Sequence, residues 1–242
     1  MERIVYDTMA ELDDRHWWYR ARREVLAALI RRRAPPPAGA QLLEIGCGTG
    51  HNLAMLSQFG HVDALELDSA ARAIAEARLG RPVMDAPLPE LRGVPEGHYD
   101  LIGAFDVIEH IADDRAALAS IAKRLKPGGK LVITVPAHAW MWSAHDEVNH
   151  HQRRYSMRAL KQLFEKSPLK LGAIGYFNSL LFPLAVAQRM VSRMSGSEDS
   201  NLAMPPAPLN YVLERCFAAE RFLVGRVPLP PGLSLFAVAS AT

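Results

Sequence analysis

A carboxylate followed by alternating glycines, Glu44-Ile45-Gly46-Cys47-Gly48-Thr49-Gly50, limits the ligand of this chain more narrowly than any other stretch. Glycines let the backbone turn sharply and approach a ligand with no Cβ in the way. A pyrophosphate-binding loop would read Gly-x-Gly-x-x-Gly. Here the third glycine falls one residue early and an acid precedes the loop. A carboxylate repels a phosphate and attracts an ammonium, so the loop suits an adenosine ligand that carries an ammonium and a sulfonium. Glu66, 16 residues after Gly50, is placed to accept both ribose hydroxyls. Asp68 is its rival on the same side, but Glu66 lies nearer the end of its strand. Asp85 can accept from an adenine amino group. Any one of these acids alone would read as a helix cap or a solvated charge. Three in register with the glycines read as a binding set, flanked by Leu67, Ala86 and Phe105.

Two further clusters carry chemistry. Four of the nine histidines fall within 14 residues, His138, His145, His150 and His151, beside Trp140 and Trp142. Imidazole titrates near neutrality and suits removal of a proton from a nucleophile. His145 is the first candidate base, followed by His138 and His151; a self-packed loop is the competing reading. Arg153 and Arg154 can receive a carboxylate or phosphate, and Trp140 and Tyr155 complete the expected substrate side. The second cluster is Asp106-Val107-Ile108-Glu109-His110. Its oxygen and imidazole groups at i, i+3 and i+4 can hold a divalent ion, or the carboxylates can complement a helix dipole; the metal-free reading is preferred. Near the start, His16-Trp17-Trp18-Tyr19 precedes Arg22 and Arg23. Trp17 and Tyr19 are candidates for the substrate side. Either arginine can pair a cofactor carboxylate bidentately.

The 242 residues, 49% hydrophobic and 22% charged, describe a globular chain and exclude a disordered or collagen-like one. A net charge of +2 is no nucleic-acid footprint. Cys47 and Cys216 are too few for a disulfide framework or a cysteine-based zinc site. The first residues lack the apolar core of a signal peptide, and the longest apolar stretch is shorter than a membrane span of ~20 residues. The expected location is the cytoplasm, with peripheral contact at the inner face of a membrane left open. Helical periodicity predicts a helix over 9–33, stopped by the Pro-rich linker 34–39. Strands at 41–45, 61–67, 99–108 and 130–136, with a short one at 82–84, alternate with helices at 51–59, 69–78 and 113–125. That alternation implies a doubly wound, mostly parallel sheet. A helix over 156–164, a strand over 169–177, helices over 178–195 and 211–224 and a last strand from 233 follow. One domain is expected: a cap and linker over 1–39, a cofactor core over 40–140, a substrate side over 141–177, a helical insertion over 178–232 and the closing strand over 233–242. The apolar insertion can serve as a lid, a bilayer contact or a homodimer face.

Taken together, LLEIGCGTG, ALELD, YDLIGAFDVIEHI and LKPGGKLVITVP resemble successive motifs of the class I S-adenosylmethionine-dependent methyltransferases. The resemblance covers roughly residues 40–140. It implies a Rossmann-like seven-stranded sheet of order 3-2-1-4-5-7-6, its seventh strand antiparallel, and S-adenosylmethionine as cofactor. The chain is most similar to the branch that includes ubiquinone-biosynthesis O-methyltransferases. That branch has an Arg in the N-terminal helix, matched by Arg23, an acid-x-x-Glu-His motif, matched by Asp106 to His110, and a His-Asp, matched by His145-Asp146. Asp106 stands where the branch often has Glu. The resemblance implies methyl transfer to a small molecule, with an oxygen of an aromatic, quinone-like or lipid-like acceptor expected. A non-catalytic adenosyl-binding or scaffolding protein on the same fold is the alternative. A nicotinamide-dependent oxidoreductase is disfavoured by the glycine spacing.

Overall fold

In the computed structural model, residues 3–195 and 204–242 are described. The chain opens with α1 (Arg3–Leu12) and α2 (Trp17–Arg33). The single helix expected over 9–33 is broken at residues 13–16. Asp13 is fully buried there, paired with Arg78 at 2.5 Å, and the His16 side chain caps α2 by accepting from the Trp18 N–H. The core alternates β1 (Ala40–Ile45), α3 (Leu53–Leu56), β2 (Gly60–Leu65), α4 (Ser69–Leu79), β3 (Tyr99–Phe105), α5 (Asp114–Arg124) and β4 (Leu125–Pro136). It continues through α6 (Ala144–Val148), α7 (Met157–Glu165) and β5 (Leu169–Phe177). The insertion contributes α8 (Phe182–Ser195) and α9 (Ala207–Ala218), and β6 (Ser234–Ala241) closes the chain.

The sheet order is β2-β1-β3-β4-β6-β5, with β6 antiparallel to both neighbours and the other strand pairs involving β1, β3 and β4 parallel. The expected third strand is reduced to one parallel bridge, Leu65 to Met84, on the outer edge of β2. Its surroundings explain the reduction: Pro82, Pro87 and Pro89 withhold the N–H groups a longer ladder requires. Six strands therefore stand where seven are expected, in an otherwise matching order.

The strands are apolar on both faces because both are covered. On one face α2, α3 and α9 pack Val25, Leu26, Leu29 and Phe217 against Leu42, Leu101 and Val132. On the other, α5 and α7 bring Leu118, Ile121, Leu160 and Phe164 onto Leu43, Ile102 and Ile133. These layers fix the strand ends of β1, β2, β3 and β4 side by side, where an open sheet of this type places its ligand crevice.

Candidate active site

The crevice over those strand ends is one large cavity of about 1620 Å³. The glycine loop forms its floor. Gly46 has φ +67°, and a Cβ there would lie 2.7 Å from Val107 Cγ2, so no other residue fits without displacing β3's exit. Cys47 and Gly50 do not reach the cavity. The Cys47 thiol is buried, and Gly50 lets α4 come close, since a Cβ there would meet Ala75 Cα at 3.1 Å. Glu44 also lies beneath the floor. Its Oε1 accepts from Asn52 Nδ2 at 2.8 Å, and burial pushes its carboxyl up to about 8.

Glu66 directly follows β2 and faces the cavity. It accepts from the Gly48 N–H and from the Asp68 N–H, each at 2.8 Å, and from the Tyr6 hydroxyl at 3.5 Å. Its rival Asp68 is committed to the cap of α4, accepting from the Ala70 and Ala71 N–H groups. Leu67, Ala86 and Phe105 line the same space. Asp85 does not. It turns outward to Arg72 at 3.3 Å, with 60% of its side chain exposed.

Helix α2 supplies the opposite wall through Trp17, Trp18, Tyr19 and Arg22. Arg22 reaches Asp106 Oδ2 at 2.8 Å and Thr134 Oγ1 at 2.6 Å, with Trp18 stacked on its guanidinium. Arg23, the position the resemblance indicates, points elsewhere. It donates to the His51 carbonyl at 3.4 Å and faces Asp14. The sequence held the signal: Arg22 leads the stripe Val25, Leu26 and Leu29 at i+3, i+4 and i+7, so it faces the sheet.

The loop after β4 divides into parts that reach the cavity and parts that do not. His138 lies outside, stacked on Tyr176 and Phe182. Trp140 is 49% exposed and also outside. Arg153 and Tyr155 both bond Asp114 at the start of α5, at 2.9 and 2.8 Å, and so anchor the loop instead of facing a substrate. His145 and His151 line the cavity. The His145 ring lies 3.3 Å from the Asn149 amide, and enclosure by the walls lowers its pKa. His151 Nδ1 lies 2.9 Å from Asp146 Oδ1. Asp146 is fully buried and held by Arg154 at 2.7 and 2.9 Å in a two-pronged pair. Burial works against this carboxylate, yet the bonds from His151 and Arg154 outweigh it and hold Asp146 far below the usual range. Asp146 thus serves the histidine five residues after it. That pairing depends on the turn through residues 149–151, which spacing alone did not reveal.

Among the described residues, Glu109, His110 and His151 bring one ligand atom each within 4.8 Å of one another. Asp106, expected in this set, is instead occupied by Arg22 and Thr134. Glu109 is fully buried with neither carboxylate oxygen hydrogen-bonded; burial and then Asp106 raise its pKa well above the ordinary value. Burial and then His151 lower that of His110 to about 4.

A methyltransferase domain model matches residues 17–171. Two curated relatives are a trans-aconitate 2-methyltransferase of Deinococcus radiodurans, 34% identical over 118 residues, and a ubiquinone biosynthesis O-methyltransferase of a Bradyrhizobium strain, 31% identical over 108. These matches cover 46% and 43% of the chain but only 41% and 42% of the relatives. Among solved structures, a putative methyltransferase bound to the Haloferax volcanii Trm112 activator aligns over 98% of this chain and 97% of its own, with a TM-score of 0.62 at 18% identity. A Haemonchus contortus phosphoethanolamine N-methyltransferase holding S-adenosyl-L-methionine aligns over 88% of this chain and 51% of its own, with a TM-score of 0.58 at 19% identity. The family model spans the floor, the Arg22 wall and the histidine loop together, and the chain accordingly belongs to the methyltransferase domain family, within the class I S-adenosylmethionine-dependent methyltransferases.

Proposed function

We propose that the protein transfers the methyl group of S-adenosylmethionine to an oxygen of a small aromatic, quinone-like or lipid-like acceptor, with His151 as the base. The observation that carries this reading is the Asp146–His151 pair on the wall of the cavity whose floor is the glycine loop. Methyl transfer from a sulfonium is an in-line displacement in which the cofactor brings its own leaving group. The protein must mainly align the reactants and take the proton of the attacking hydroxyl. Asp146 fixes the proton of His151 on Nδ1, which leaves Nε2 as the acceptor. His145, bonded to an amide that carries no charge, lacks this support.

The size and lining of the cavity support the acceptor class. About 1620 Å³ exceeds the roughly 300–1,000 Å³ typical of one drug-sized ligand, so cofactor and acceptor fit together. Beyond the histidines the wall has an apolar stretch for the ring or chain of the acceptor, Trp142, Leu181, Leu184, Ala185 and Leu213, interspersed with the polar Asn178, Gln188, Arg189 and Ser192. No helix among the described residues is long and apolar enough to cross a membrane.

A second reading rests on Glu109. A buried carboxyl without a hydrogen bond, beside His110 and His151, is a donor set suited to a divalent ion. Bound there, such an ion would lower the pKa of an acceptor hydroxyl, and His151 would be a ligand instead of a base.

A methyl-transfer screen over phenols, quinone precursors and lipids tests the proposal. On an accepted substrate, His151→Ala is expected to lower turnover about 10²–10⁴-fold with S-adenosylhomocysteine affinity unchanged, and activity is expected to survive EDTA. Loss of activity in EDTA, restored by one divalent metal, would favour the second reading. Cofactor binding with no turnover on any acceptor would leave an adenosyl-binding protein.

A further inference from the structure

The cavity contains one polar side chain that the protein itself leaves unsatisfied on both sides and that no motif assigns. His51 directly follows the glycine loop and lines the cavity with Gly46, Gly48 and Arg22. Both ring nitrogens are buried and neither has a hydrogen-bond partner. The ring is held edge-on to Tyr19, centroids 5.3 Å apart, and its carbonyl accepts from Arg23, so its position is fixed. Burial first, and then the charges of Arg22, Arg23 and Arg78, bring its pKa down to about 3. A neutral imidazole keeps one N–H to donate, and a buried donor left unmet is costly. Inside a ligand cavity, that unmet group marks where a ligand acceptor belongs.

The cofactor has one such acceptor in reach. With the ribose on Glu66 and the Ala86 side of the cavity beyond it, the amino-acid end must run the other way. It crosses Gly46 and Gly48 toward α2 and the end of β3. The groups there are His51 and the Arg22–Asp106 pair, partly exposed at Asp106, and Arg22 with His51 suits the carboxylate. We propose that His51 is a cofactor-binding residue whose ring N–H donates to the carboxylate at the amino-acid end of S-adenosylmethionine, beside the Arg22 guanidinium. The assignment rests on the cofactor reading above and on no choice of acceptor.

Two ligands separate this role from packing. S-adenosylhomocysteine carries the carboxylate; 5′-methylthioadenosine has the same nucleoside and lacks the amino-acid end. Calorimetry on the full chain is expected to show that His51→Phe weakens S-adenosylhomocysteine about 10- to 100-fold, the range of a hydrogen bond to a charged group. It should leave 5′-methylthioadenosine within about twofold. His51→Gln, which keeps an N–H, is expected to restore most of the loss. Equal weakening of both ligands, or no weakening of either, would overturn the assignment. Should His51→Phe not fold, the imidazole ¹⁵N resonances of the wild type provide the same test. They are expected to move on addition of S-adenosylhomocysteine but not of 5′-methylthioadenosine, and identical responses to the two would overturn it. A wild type that binds no S-adenosylhomocysteine would overturn the cofactor reading and this assignment with it.

Discussion

Glu44 and Glu66 lie at the ends of neighbouring parallel strands, yet their environments give them opposite tasks. Glu66 opens onto the cavity and gathers two backbone N–H groups. If the ribose hydroxyls donate to Glu66, Glu66→Ala removes their acceptor, each such charge-assisted bond being worth about 1.5–3 kcal/mol. S-adenosylhomocysteine affinity is expected to fall at least ~10-fold by calorimetry; unchanged affinity would put the ribose elsewhere. Glu44 is sealed under the floor, and burial lifts its pKa to about 8 despite the bond from Asn52. The folded protein therefore keeps a proton that the unfolded chain releases above the ordinary carboxylate pKa, near 4.3. Folding then becomes less favourable as pH rises from there to about 8, and the cost is fully present above it. Glu44→Gln keeps an acceptor for Asn52 and removes the titration. Its melting temperature should gain on the wild type between pH 5 and pH 9, by on the order of 10 °C at the upper end. A constant difference across that range would mean that Glu44 stays ionised when folded. Sequence spacing brought Glu44, Arg23, Asp85, Arg153 and Tyr155 to the neighbourhood of the site, but not the direction of each side chain. Asp85 found Arg72, and Arg153 and Tyr155 found Asp114, because an ion pair or charged hydrogen bond on the protein satisfied them first.

Arg22 joins three elements, reaching from α2 to Asp106 after β3 and to Thr134 in β4. Its side chain is 4% exposed, so removing it leaves Asp106 facing Glu109 without a counter-charge. Breaking a buried pair from one side costs about 3–5 kcal/mol. Because Asp106 is partly exposed, Arg22→Met is expected at the lower end, near 3 kcal/mol. For a chain of this length that is a fall of about 6–12 °C in melting temperature. Arg22→Lys should recover part of the stability, since it keeps the charge but loses the planar guanidinium whose Nη2 meets both Asp106 and Thr134 and on which Trp18 stacks. Equal melting of the two variants would assign the pair no electrostatic weight. The strands were legible because buried parallel strands read as short apolar runs, as β3 and the end of β4 do, while β2 shows the apolar alternation of an outer strand. The break between α1 and α2 was not, because it depends on Asp13 turning inward to Arg78, a contact 65 residues away. The third strand shrinks to one bridge because the apolar pair Val83-Met84 sits among prolines that offer no N–H groups.

The insertion between β5 and β6 walls one side of the cavity, and its second helix is tied to α2 by Phe217 in the core, the Arg20–Glu214 pair and the bond from the Trp17 N–H to Asn210. Leu184, Met190, Val191, Leu209, Tyr211 and Val212 are exposed along α8 and α9, so apolar burial alone does not hold its outer parts. One carboxylate joins its two ends. Glu220, in the turn after α9, is fully buried and accepts from the N–H groups of Asn178, Ser179 and Leu180 at 2.7, 2.6 and 2.8 Å. It thereby pins the entry of α8 to the exit of α9, and with it Asn178 and Leu181 on the cavity wall. A helical insertion was legible from the apolar residues after Tyr176; its clasp was not, since a lone Glu in an amphipathic stretch reads as solvated surface. Glu220→Ala would leave three buried donors unmet, each costing about 1–3 kcal/mol. Local opening of the insertion is the cheaper way to rehydrate them, because the sheet does not depend on those bonds. Hydrogen exchange should therefore lose protection in residues 178–192 and 219–223 while α9, packed on α2, and β1, β3 and β4 keep theirs. S-adenosylhomocysteine affinity should stay within a few-fold of the wild type, and methyl transfer should fall through a raised KM for the acceptor. Parallel loss of protection in the sheet would show that insertion and core open as one unit, and the insertion could not then act as a separate wall of the acceptor site.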